Sequence, residues 1–160
     1  MALLPMTYLP LDLLMQSYNP ANGRFGAVDL PLFFTPAQAD ELLPDIEKIV
    51  LQIMDIKKAS EKLSDEAEVA DAKRRLEREI QKLEDLGCVL KDWTIGLIDF
   101  PAVRLGVRVW LCWRSGEKRV EFWHGLHEGF AGRKPVKENE FYLDDLAIRA
   151  LTGEISKLAQ

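Results

Sequence analysis

The stretch Leu83–Phe100, LEDLGCVLKDWTIGLIDF, contains the change of period that decides the fold. Up to Leu86 the apolar residues recur at helical spacing among Glu, Lys and Arg. Beyond Gly87, Ile95, Leu97 and Asp99 alternate with Gly96, Ile98 and Phe100, the period of two of a β-strand. Gly87 suits the left-handed stop of a helix, so helices lie upstream and strands downstream.

Upstream, Thr35 followed by Pro36 is a helix start: a Thr side chain caps free backbone amides, and Pro lacks the amide hydrogen that would go unpaired. Leu42, Ile46, Ile49, Ile53 and Ile56 then form one apolar stripe, broadened by Leu43, Val50 and Met54, and Pro44 should bend the first turns. A capping box of Asp65 with Glu68 opens a second helix, in which Val69, Leu76 and Leu83 are spaced by heptads with Ala72 and Ile80 between them. Two narrow-seamed helices with a short connection predict an antiparallel hairpin over 35–87, each arm on the order of 30–40 Å long. Its KRRLEREIQKLED run nearly balances in charge and reads as a solvated face.

Downstream, Val107, Val109, Leu111 and Trp113 alternate with Arg108, Trp110, Cys112 and Arg114. Ser115-Gly116-Glu117-Lys118 has Gly where a type II′ hairpin turn needs it, a register that sets Trp113 opposite Val120, Leu111 opposite Phe122, Trp110 opposite Trp123 and Val109 opposite His124. Ala147, Leu151, Ile155 and Leu158 predict a C-terminal helix over 143–159, with Asp144 and Asp145 suited to its start. Residues 1–32, punctuated by prolines and glycines, form an N-terminal arm with one short helical element through Leu11, Leu14, Met15 and Tyr18. The expected fold is α+β within one domain, 1–160: a long helical hairpin, a β region of about three antiparallel strands with a Gly-rich loop over 88–137, and a C-terminal helix.

At 160 residues the chain can bury roughly 70% of its unfolded surface, so folding needs neither a metal nor a disulfide. Cys88 and Cys112 read as buried thiols of a reducing cytosol. The apolar N-terminus lacks a basic leading region and is cut by Pro5 and Pro10, which fits neither an export signal nor a membrane span, and a cytoplasmic protein is expected. The net charge of −5 argues against broad nucleic-acid binding, yet 101–137 carries eight basic and three acidic residues, leaving −10 for the remainder. The β region should therefore attract an anion, unless its cations only form a solvated face complementing the acidic helices.

The motifs FFTPAQADELLP, LEDLGCVLKD, GLIDFPA, VWLCWR and FWHGLHEGFAGR, in this order, resemble the signature of an uncharacterised bacterial domain-of-unknown-function family over about Phe33–Pro135. The resemblance implies a helical hairpin joined to a small β unit and no known activity. At His127 the family pattern usually carries an acidic residue.

Several residues are candidates for chemistry. His124, His127 and Glu128 have a spacing at which three metal ligands can converge, against a His held in a turn. Asp99 and His124 fall on corresponding faces and suit an acid–base pair, against an Asp securing the turn at Phe100-Pro101. Cys112, placed on a face with Arg114 and Glu121, reads as a packed thiol rather than a nucleophile. Trp110 and Trp123 offer a stacking platform beside Arg108 and Arg114, or else core. Gly125, Gly129 and Gly132 either turn amides towards a phosphate or merely allow tight turns. The loop from His124 to Arg133 is expected to border the principal pocket, with Arg133 gripping an anion in two places or pairing with an acidic helix.

Two classes of function follow. The first is a non-enzymatic module in which the hairpin forms a homodimer, held by Leu43, Val50 and Met54, and the basic, aromatic β region binds a protein segment or small anionic ligand through Arg114, His124, Glu128 and Arg133. The alternative is a small hydrolytic or metal-assisted enzyme using His124 and Asp99. No cofactor is expected.

Overall fold

The computed structural model describes residues 33–142, together with the two-residue strands β1 (Tyr18–Asn19) and β2 (Arg24–Phe25), which pair antiparallel. The expected C-terminal helix over 143–159 and the helical element of the arm lie outside the described residues.

Helix α1 spans Pro36–Ser60. Thr35 caps it reciprocally with Gln38: the Gln38 N–H donates to Thr35 Oγ1 (3.2 Å), and the Thr35 N–H donates to Gln38 Oε1 (3.1 Å). Pro44 lies inside this helix, which continues through it. Helix α2 spans Glu66–Asp85, with Asp65 accepting the Glu68 N–H at its start and Gly87 at φ +93 beyond its end. The hairpin is therefore present, and it is followed by an antiparallel sheet of five strands rather than about three: β3 (Val89–Asp92), β4 (Leu97–Arg104), β5 (Val107–Arg114), β6 (Phe122–Gly125) and β7 (Lys134–Pro135), adjacent in that order. The fold of the described residues is α+β, and no helix among them is long and apolar enough to cross a membrane.

Helix α1 lies on one face of the sheet. Ala39, Leu43, Ile46, Val50 and Ile53 form a single buried core with Ile98, Phe100, Leu111 and Trp113. Leu43 and Val50, expected to await a second chain, are thus buried on the sheet, with Met54 partly buried beside them. The helix approaches closely at Gly96, where a Cβ would stand 2.6 Å from Ser115 Cβ and 2.7 Å from Val50 Cγ1, and where φ is +63.

The β5–β6 register is one residue away from expectation: Val109 pairs with Gly125, Trp110 with His124, Leu111 with Trp123 and Cys112 with Phe122. The turn falls one residue early, at Arg114–Glu117, where the Glu117 N–H donates to the Arg114 carbonyl and Gly116, at φ +96, occupies the third position. Helix α1 then draws the chain off the ladder, because the Val120 N–H donates to Asp40 Oδ1 (2.7 Å). A one-residue slip turns side chains to the other face. Trp123 accordingly shares the helix-facing row with Phe100 and Leu111, while Trp110 points to the opposite face, so the two tryptophans form no joint platform.

Candidate functional site

Strand register puts Asp99, Cys112 and Phe122 in one row across β4, β5 and β6, with Pro101, Trp110 and His124 in the next row of the same face. This is the face turned away from α1. Asp99 and His124 do meet: His124 Nε2 lies 3.0 Å from Asp99 Oδ2, and Nδ1 lies 2.8 Å from the Gly125 carbonyl oxygen. A carbonyl oxygen only accepts, so Nδ1 carries a hydrogen, and the Nε2–Oδ2 contact requires one more hydrogen between those atoms.

Cys112 completes the group. Its Sγ, a His124 ring nitrogen and an Asp99 carboxylate oxygen lie within 4.8 Å of one another. All three residues are buried, at 1% exposure for Asp99, 3% for His124 and 0% for Cys112. Asp99 Oδ1 has no hydrogen-bond partner among the described residues, an expensive condition for a buried acceptor. Burial, reinforced by the Asp99 carboxylate, pushes the Cys112 thiol up to about 12, which keeps it protonated and unfit as a nucleophile at neutral pH. Its neighbour is Asp99 and not Glu121, which is exposed and paired with Arg119.

The other candidates are placed differently. His127 and Glu128 are exposed while His124 is buried, and these three do not form a ligand cluster. Glu128 instead accepts the Gly125 N–H (2.9 Å) and Lys134 Nζ (2.6 Å), so a carboxylate of the chain itself occupies an amide of the Gly-rich loop that was a candidate for phosphate. The Lys134 and Gly125 bonds hold the Glu128 carboxyl below its ordinary range. Gly132 is required here because a Cβ would come within 2.9 Å of Glu128 Cβ.

Arg133 grips a carboxylate in two places, as its chemistry suggests, but the partner is Glu117. Nη1 donates to Oε1 (2.8 Å) and Nη2 to Oε2 (2.7 Å), with Nη2 also 3.2 Å from the Cys112 carbonyl oxygen. The guanidinium lies over Phe122 and Phe130, 4.1 and 4.9 Å from the ring centres. The expected partner on an acidic helix is thus replaced by one in the β5–β6 connection. Burial works to raise the Glu117 carboxyl, but the Arg133 and Arg114 N–H bonds outweigh it and hold that group below its ordinary value. Among the described residues, a groove of about 510 Å³ is lined by Asp40, Glu121, Phe122, Pro135 and Glu138 among others, and this loop does not border it.

Arg114 is exposed at the end of β5. Around Trp110, Lys91 Nζ stands 4.9 Å from the ring centre and Arg108 lies two residues along the strand. Lys91, Arg108 and Arg114 form no ion pair among the described residues, whereas Arg104 pairs with Glu140 and Lys134 with Glu128.

No curated protein and no solved structure matches the chain. The profile of a family described as "Uncharacterized conserved protein (DUF2203)" matches residues 32–136, which takes in both helices, strands β3 to β7 and the Asp99, Cys112 and His124 group. By that match the chain belongs to the uncharacterized conserved protein family DUF2203.

Proposed function

We propose that this protein is a non-enzymatic binding module whose sheet face opposite α1 receives an acidic protein segment. The observation that carries this reading is Trp110 under Lys91 Nζ, with Arg108 and Arg114 alternating along the same strand and none of the three cations ion-paired among the described residues. The cations are spread along β3 and β5 rather than converging on one point. That arrangement suits an extended chain of carboxylates better than one compact anion. Free buried thiols at Cys88 and Cys112 support a reducing, cytoplasmic setting.

Self-association belongs to this reading. Leu51 and Val69 are exposed at 47% and 45% on the two helices of the hairpin, which supports a homodimer through that element. The enzymatic alternative draws support from the 3.0 Å contact of Asp99 with His124, but their burial favours a fixed polar pair over groups that must meet a substrate.

Titration of the full chain with an oligoglutamate peptide, against inorganic phosphate as the compact anion, tests the reading. Saturable, salt-sensitive peptide binding, weakened about tenfold by Lys91→Ala or Arg108→Ala at roughly 1.4 kcal/mol per contact, is expected. Binding that is indifferent to both substitutions would defeat it.

A further inference from the structure

We propose that Asp99, Cys112 and His124 form a buried three-ligand site for Zn²⁺. The three side chains come from three consecutive strands, and Asp99 and Cys112 are direct partners in the β4–β5 ladder, so regular backbone pairing, not a loop, fixes their spacing. Their donor atoms already converge within 4.8 Å. Drawing them onto one ion at about 2.0–2.3 Å needs only small side-chain movements.

The hydrogen bonding around the group is that of a metal site. His124 Nδ1 donates to the Gly125 carbonyl oxygen at 2.8 Å, which fixes the ring and directs Nε2 towards Asp99. A metal-bound imidazole is held in the same way, its far N–H anchored by a carbonyl or carboxylate. Asp99 Oδ1, buried without a partner among the described residues, is an acceptor that a cation would satisfy.

The donor set selects the ion. One thiolate, one imidazole and one carboxylate suit a borderline-soft divalent ion and are a poor match for Mg²⁺ or Ca²⁺, which prefer oxygen ligands. Charge balances as well: Zn²⁺ enters, the Cys112 thiol proton leaves, and the proton shared by Asp99 and His124 leaves. The bound ion, thiolate and carboxylate sum to zero charge, which a buried position demands. Three protein ligands leave a fourth position on the ion. The metal ligands lie on the same sheet face as Trp110, Arg108 and Arg114, but they are buried whereas Arg114 is exposed, and metal uptake and peptide binding are measured separately.

The test uses full-length protein stripped with a chelator and titrated with Co²⁺ alone. We expect one ion per chain, a thiolate-to-cobalt charge-transfer band in the near ultraviolet, and loss of that band when Zn²⁺ is added. Cys112→Ala should abolish the band, whereas His127→Ala and Glu128→Gln should leave it unchanged. Cys88→Ala leaves Cys112 as the sole thiol and should keep the band, so the assignment does not depend on the fold of the Cys112 variant. Zn²⁺ uptake by the unsubstituted chain in weak buffer should release about two protons per ion. The proposal is overturned if the unsubstituted protein develops no band with excess Co²⁺, if the band disappears in Cys88→Ala, or if it survives in Cys112→Ala.

Discussion

Asp99 Oδ2 and His124 Nε2 lie 3.0 Å apart although their strands, β4 and β6, are not neighbours: the two side chains reach each other across β5, beside Cys112. The contact ties three strands together on the face that α1 does not cover. It also explains how one polar pair can be buried in a sheet otherwise filled with apolar side chains.

Removing one partner should therefore cost more than an ordinary surface ion pair. Asp99→Ala is expected to lower unfolding free energy by about 3–5 kcal/mol, because the imidazole is left buried and unpaired. Replacing both residues together, Asp99→Leu with His124→Phe, should cost less than that single change. Urea midpoints at neutral pH measure both, and a single-variant loss below about 1 kcal/mol would contradict the buried pairing.

The Arg133–Glu117 fork predicts an acid-dependent loss of stability. The Glu117 carboxyl is held below its ordinary value when folded, so its contribution is fully present above the unfolded carboxyl value of about 4.3 and is lost as pH falls through the folded value. In Glu117→Gln that component should be missing: the variant is less stable than the parent at pH 7, and the gap narrows on acidification. A gap that stays constant from pH 7 to about pH 3 would show that the pair contributes no such linkage.

Gly96→Ala should be strongly destabilising although it adds only a methyl group. The new Cβ would stand 2.6 Å from Ser115 Cβ and 2.7 Å from Val50 Cγ1, in a backbone conformation at φ +63 that Ala adopts at a cost. Overpacking and strain together should amount to about 2–4 kcal/mol by thermal or urea unfolding. At Gly106, with φ +79 but open space around it, the same substitution should cost about half as much or less.

Self-association is checked by sedimentation equilibrium at tens of micromolar. A homodimer is expected, and Leu51→Glu with Val69→Glu should shift it towards monomer without changing helix content. A monomer throughout would remove the hairpin from the list of interfaces.

Local chemistry made much of the fold legible. Thr35-Pro36, the Asp65 cap and Gly87 mark the helix boundaries through groups within a few residues of one another, and the change of period after Gly87 marks where strands begin. Sequence periodicity divided each strand into two faces, because alternation is a local property, but the expected register set His124 opposite Val109, whereas the observed one sets it opposite Trp110 on the face of Asp99. What it lacked was the register between strands.

That register depends on contacts remote in sequence. Asp40 of α1 takes the Val120 amide, and the β5–β6 pairing moves by one residue, which separates Trp110 from Trp123 and brings Phe122 opposite Cys112. The β4–β5 pairing that sets Asp99 against Cys112 hinges on Leu105 at φ +48 beside Gly106, a conformation that a leucine does not advertise. Arg133 likewise found Glu117, sixteen residues away, rather than an acidic helix or a ligand, because the fold brought that carboxylate within reach of its guanidinium. The sequence by itself thus determined the two helices, their ends and the point at which strands begin, since these follow from short-range sterics and capping. Only the tertiary structure decided which side chains meet, because that rests on hydrogen bonds and close packing between segments far apart along the chain.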